Sequence, residues 1–287
     1  MAVGTDAPGL AALPGGTESA PWRVVGPGGR FVLRRYGTGP DAVARATLAL
    51  AAAGAAWRAG VGAPRPMPTD DGQAFWRDGA GEVWAVMRWV AGRPRRTWLG
   101  LGAEEARVLG ASLARLHEAL RSLPPDLAGP GSAGLGPADI PRHGRSHDQV
   151  LHGDPSQGNV LWLGHGEGAR VGFVDFDRVH RGPVERDLGR VLVGMAPWAG
   201  AGSTLAFPAF LSGYAAAGGR PSAARLRRAI PQALAEGEAW LERADLSEHA
   251  LRAGKRWLTR ARAVGMEQAG ALAEAAPYRS TTGPARG

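Results

Sequence analysis

The chain has 287 residues, 44% of them apolar, with 34 basic against 26 acidic side chains, a formal net charge of +8 and no cysteine. That length can bury a core of its own, and the lack of cysteine excludes a disulfide scaffold and a thiolate metal centre. The basic surplus is nearly all arginine, Lys255 being the only lysine; it suits anionic ligands such as nucleotide phosphates, whereas no basic stripe interleaved with aromatics speaks for nucleic acid.

Met1 to Pro14 has no basic stretch followed by a long apolar one, so no secretory signal is expected. The longest mainly apolar run, Ala46 to Trp57, is too short and too rich in alanine to span a bilayer. A cytoplasmic protein with neither a membrane nor a nucleic-acid partner is the expectation. Trp22–Val25 and Phe31–Tyr36 read as strands joined by the Gly26–Gly29 turn. Asp41 to Ala59 reads as a helix capped by Asp41, and the prolines at 64, 66 and 68 forbid its continuation. Gln73–Arg77 and Glu82–Val90 read as a second strand pair. Ala91–Pro94 forms a joint. Ala103 to Arg121 is a helix, with Leu109, Leu113, Leu116 and Leu120 on one stripe. Leu123 to Arg145 is loop. Asn159–Leu163 and Val171–Val174 are strands, and the chain from Val184 on is helical with breaks near Pro197, Pro208, Gly218 and Pro277. The fold class expected is α+β, with a small antiparallel-sheet lobe over residues 1–90 and a mainly helical one over 91–287.

The chemistry concentrates in His152-Gly153-Asp154-Pro155-Ser156-Gln157-Gly158-Asn159 and in Asp175-Phe176-Asp177. Asp154 and Asn159 lie five apart on a loop that can aim both into one cavity. There an aspartate can accept a hydroxyl proton and an asparagine oxygen is a hard ligand for magnesium. Alone, the pair also suits a polar turn. Asp175 follows the apolar strand Val171–Val174, and a carboxylate at a strand end is held rigidly enough to ligate a metal. A base plus a metal clamp is the template of phosphoryl transfer.

The order HGD-x4-N, short hairpin, DFD resembles the aminoglycoside phosphotransferase family, which includes choline, homoserine, fructosamine and methylthioribose kinases and has a reduced, two-lobed protein-kinase-like fold. Leu113–His117, Gly182-Pro183 with Asp187-Leu188, Met87–Gly92 and Leu13–Gly16 resemble further family segments in the right order. The resemblance implies an ATP- or GTP- and Mg2+-dependent phosphotransferase with Asp154 as base and Asn159 and Asp175 as metal ligands. It implies Gly15 and Gly16 in a nucleotide-covering loop, and Met87 and Trp89 at a hinge near 87–92 where the purine meets backbone. Asp177 would join the metal shell or fix its turn, Asp187 would cap a helix and brace the catalytic loop, and His117 and His152 would be supports. His143 and His147, four apart, read as a solvated pair rather than a zinc site.

The sequence departs from the family at the nucleotide clamp. Arg34 stands where such kinases carry a strand lysine, and no acidic residue lies between Ala42 and Thr69, where a helix glutamate should pair with it. Either a distant carboxylate anchors Arg34, or the nucleotide itself neutralises it, or the site has lost nucleotide. The acceptor is expected to be a small-molecule hydroxyl; a serine or threonine of a precursor peptide, or a nucleotide-binding protein without turnover, are the alternatives. From Ala201 to Gly287 there are seven acidic and twelve basic residues. That leans against a polycationic acceptor, although Glu236, Glu238 and Glu242 could form a local acidic patch.

Overall fold

Strand alternation builds the N-terminal sheet. The computed structural model describes residues 9–13, 21–95, 98, 101–124, 127, 148–164, 170–195, 206–242, 251–252, 254–255, 258–259 and 261–262. Strands β1 (Gly9–Ala12), β2 (Trp22–Gly26) and β3 (Gly29–Thr38) form an antiparallel meander, and β4 (Pro66–Met67), β5 (Trp76–Arg77) and β6 (Glu82–Arg88) complete a six-stranded sheet. Its order is β1-β2-β3-β6-β4, with β5 also pairing β6. Along β3 the side chains of Arg34 and Tyr36 turn inward while Arg35 turns out, the period of two that a pleated strand imposes. Val83, Ala85 and Met87 form the buried face of β6.

Helix α1 (Gly39–Arg58) lies against β3 and β6, burying a stripe of alanines with Leu48 and Leu50. It starts two residues before the expected cap. Thr38 holds the N-cap position with a proline in the first turn, where a missing N–H costs nothing. Asp41 sits inside that turn, favoured there by the helix dipole. The expected strand over Gln73–Arg77 shrinks to Trp76–Arg77 because residues 69–73 fold as a turn: the Gln73 N–H donates to Thr69 Oγ1 at 2.9 Å and the Gly72 N–H to the Thr69 carbonyl at 2.8 Å.

The linker after β6 carries β7 (Arg93–Pro94), which pairs with β9 (Val160–Leu163); β9 in turn pairs with β10 (Arg170–Phe173). β8 (Gln149–Leu151) pairs with β11 (His180–Gly182). These two small sheets flank the loops expected to do chemistry. The chain after α1 also touches them, for the Phe173 N–H donates to the Gly62 carbonyl at 2.7 Å. Helix α2 (Ala103–Arg121) has the expected bounds and packs its leucine stripe into the core. Helices α3 (Glu185–Met195), α4 (Ala206–Ala216) and α5 (Ala223–Leu241) complete the helical lobe. Pro208 does not break α4; it lies in the first turn. α2 and α4 meet backbone to backbone: a Cβ on Gly110 would stand 2.0 Å from the Phe210 carbonyl oxygen, and one on Gly213 2.1 Å from that of Arg107. The fold is α+β and two-lobed, as the sequence implied. Residues 14–20, His143, His147, Pro197 and Pro277 lie outside the described residues.

Candidate active site

Residues 152–159 run from β8 into β9 and form a loop pinned from below. Asp187, in the first turn of α3, accepts from the backbone N–H of His152 and of Gly153, each at 3.0 Å, and from His117 Nε2 at 3.1 Å. It is 1% exposed. Burial pushes its carboxyl up, but the His117 hydrogen bond and the surrounding imidazoles win and hold it at about 2. Asp187 thus braces the loop as expected, while lying inside the helix rather than capping it. His117 completes the support through Nδ1 and the Tyr214 hydroxyl, 2.8 Å apart.

Gly153 cannot be another residue here. Its φ is +83°, and a Cβ would lie 1.9 Å from the Arg178 carbonyl oxygen. His152 is fully buried against Phe176 and Phe173. Its Nε2–H donates to the Val174 carbonyl at 3.0 Å, and its Nδ1 accepts the Asp154 N–H at 3.2 Å. A second proton on Nδ1 would break that bond, and burial pushes the imidazole below its ordinary 6.5. The unfolded chain therefore takes up the proton first: the stability from neutral His152 is full above pH 6.5 and declines as pH falls below it. We expect the unfolding free energy from urea titrations to drop from pH 7 to pH 5, and the slope to be smaller in His152→Asn. His180, also buried and pushed down, keeps the slope from vanishing.

The candidate reactive groups stand above this floor. Asp154 is partly exposed; its Oδ2 accepts Asn159 Nδ2 at 3.1 Å and its Oδ1 accepts Arg190 Nη1 at 3.1 Å. Asn159 Nδ2 also donates to the Asp154 carbonyl at 3.0 Å, which turns the amide so that its Oδ1 is the atom left for a cation. The Val174 N–H donates to the Asn159 carbonyl at 2.9 Å, bringing the end of β10 beside the loop. There Asp175 adopts φ +66°, unique among the described non-glycine residues, before a 3-10 turn over Phe176–Arg178. Left-handed backbone costs an aspartate on the order of 1 kcal/mol, and it re-aims both acidic side chains of that turn toward β3. Arg34 waits there, 6% exposed, with Nη2 2.8 Å from Asp175 Oδ1 and 2.6 Å from Asp177 Oδ2. Of the three expectations for Arg34, the distant carboxylate is the one found, twice over. Asp177 reaches out of its turn to do it. Arg35 faces outward, 3.8 Å from Glu82.

Two residues here, Arg186 and Arg190, were not read from the sequence. Arg190 binds Asp154 with one nitrogen and Glu236 with the other; Glu236 also accepts Arg186 Nη2 at 2.8 Å. The arginines overcome burial and hold Glu236 below the usual carboxylate range. Glu238 is paired with Arg262. The acidic patch imagined in the acceptor lobe is thus neutralised at two of its three positions. Arg186 and Arg190 are four apart on one face of α3, a spacing visible in sequence, but nothing local says that this face looks at Asp154.

Met87 is buried in β6, opposite Val32 and Pro66. The backbone N–H of Trp89 donates to the Arg30 carbonyl at 3.0 Å and that of Arg88 to the Arg65 carbonyl at 2.8 Å, so the Trp89 backbone has its carbonyl, and not its N–H, left to offer. Gly15 and Gly16 fall between β1 and β2, rather than before the first strand, and outside the described residues.

The oxygens of Asn159 and Asp175 suit magnesium, a hard cation that takes one or two carboxylates or amide oxygens and completes its shell with phosphates and water. Among the described residues no cluster of three or more His, Asp or Glu could hold a metal. No helix among them is long and apolar enough to cross a membrane.

No curated protein matches the chain in sequence. Among solved structures it is similar to a microcompartment-associated aminopropanol kinase (18% identity, 93% of this chain and 94% of that one covered, TM-score 0.67). It is also similar to an amicoumacin kinase in complex with AMP-PNP, Ca2+ and Ami (15%, 88% and 88%, 0.61), and to an aminoglycoside phosphotransferase from Alicyclobacillus acidocaldarius (16%, 93% and 94%, 0.60). At such identities these likenesses establish the fold. The family match runs over residues 9–135 and 135–229 and so takes in Arg34, the 152–159 loop, the Asp175 turn and α3. On that match the chain is a member of the phosphotransferase enzyme family.

Proposed function

We propose that this chain transfers the γ-phosphate of ATP, or of GTP, to a hydroxyl of a small molecule. Asp154 takes the hydroxyl proton. Asn159 and Asp175 hold magnesium, whose part is to neutralise charge on the phosphates as the bond breaks. Arg34 binds the phosphates, Gly15 and Gly16 lie over them, and the purine sits against the segment 87–92, near Met87 and the Trp89 carbonyl. The lobes divide at about residue 90. The observation that carries the reading is the joining of three groups that phosphoryl transfer uses together: Asn159 Nδ2 lies 3.1 Å from the Asp154 carboxylate, and the Val174–Asn159 backbone bond of 2.9 Å sets Asp175 close by. A nucleotide is favoured further by the AMP-PNP bound in the amicoumacin kinase of like fold, and a small acceptor by the aminopropanol and amicoumacin for which these kinases are named. The precursor-peptide alternative gains no support from them.

The test is ATP and magnesium with a broad panel of sugars, amino alcohols and natural products, read by mass spectrometry. A magnesium-dependent phosphate adduct on one hydroxyl compound is the expected result. A protein that neither binds nucleotide by calorimetry nor consumes it with any acceptor would overturn the reading.

A further inference from the structure

In kinases of this shape the phosphate-binding side chain on the third strand is held by a carboxylate on the following helix. Helix α1 has none to give: its sole acid is Asp41, in the first turn. Yet Arg34 is nearly sealed from water, and an unpaired guanidinium there would be costly. Both its carboxylates come from one place, the turn that follows β10. They differ in reach: Asp175 has 34% of its side chain exposed and Asp177 only 14%. Asp175 is also the proposed metal ligand, and an oxygen bound to magnesium cannot keep the same hold on a guanidinium. Asp177 lies deeper, with its contact to Arg34 the shorter of the two, 2.6 against 2.8 Å.

We infer that Asp177 is the positioning residue of the phosphate clamp. It holds Arg34 permanently, in place of the helix carboxylate, while the Arg34–Asp175 contact is exchangeable and opens when magnesium with nucleotide takes Asp175. The phosphate-binding cation is then tied to the same turn as the metal ligand, so the two are placed as one unit. This rests on the proposed nucleotide reaction for what Arg34 binds, though not for what binds Arg34.

A double-mutant cycle of Arg34→Gln and Asp177→Asn tests it, with Asp177→Glu as the conservative variant. The readouts are calorimetric affinity for ADP with magnesium and in EDTA, and thermal unfolding without ligand. Asp177→Asn should weaken Mg·ADP binding about tenfold and lower the unfolding temperature of the free protein; in the Arg34→Gln background it should change affinity by no more than about twofold and add no further loss of stability. Asp177→Glu should restore part of both. If the two substitutions are additive, or if Asp177→Asn shifts the magnesium midpoint equally with and without Arg34, Asp177 serves the metal and the inference fails. Should the wild type bind no nucleotide, the functional reading fails, and coupling in ligand-free unfolding still decides whether Asp177 anchors Arg34.

Discussion

Asp154→Ala is expected to lower kcat by about a hundred- to ten-thousandfold while leaving Mg·nucleotide affinity within about threefold, because only the proton acceptor is removed. The neighbours of Asp154 make alanine the informative choice. Arg190 keeps Glu236, and Asn159 Nδ2 keeps the Asp154 backbone carbonyl. Neither is left stranded, so the loss reports the missing carboxylate. Asparagine would be less clean: both side-chain oxygens of Asp154 face donors, so one end of an amide would set its NH2 against another N–H. Single-turnover rates with saturating nucleotide are the measurement. A near wild-type rate would remove Asp154 from the chemistry, and a collapse of nucleotide affinity would make it a metal ligand instead.

The parts of this site that were legible in the sequence are those held by short stretches of chain. Asp154 and Asn159 are five residues apart, and one loop turns both the same way. Asp175 follows within a single hairpin. Helix α2 was legible because its leucines repeat at 4-3-4 spacing over about three turns, Leu109 to Leu120. The short strands β1, β4, β7, β8 and β11 were not, since two to four residues carry no readable period. Tertiary contacts were legible only as gaps. That Arg34 lacked a helix partner was plain from α1; that its partners stand 141 and 143 residues further on follows from β3 and the β10 turn meeting across the cleft. The salt-bridge ladder from Asp154 through Arg190 to Glu236 spans three elements, and charge counting alone read Glu236 as available when two arginines already hold it.

Asp187 is where the folded state itself is most exposed to a single change. Asp187→Ala should cost about 3–5 kcal/mol, because it strands the amides of His152 and Gly153 and the ring of His117 in a dry interior. Activity should fall with it, since these two amides fix His152 and Gly153, the glycine that turns the chain into Asp154. The pH dependence separates this from ordinary loss of packing. A carboxyl held at about 2 when folded, against an ordinary 3.8, binds its proton more readily in the unfolded chain. The stability it supplies is therefore full above pH 4 or so and is lost as pH falls toward 2; by linkage that share is about 2 kcal/mol. Urea titrations across this range should show the wild type losing stability steeply and Asp187→Ala losing markedly less. If the two proteins lose stability in parallel, the charge of Asp187 is not what fastens the loop. His117→Asn, which removes the hydrogen bond that does most to hold the carboxyl low, should move the wild-type midpoint of acid unfolding to higher pH and leave the two backbone contacts in place.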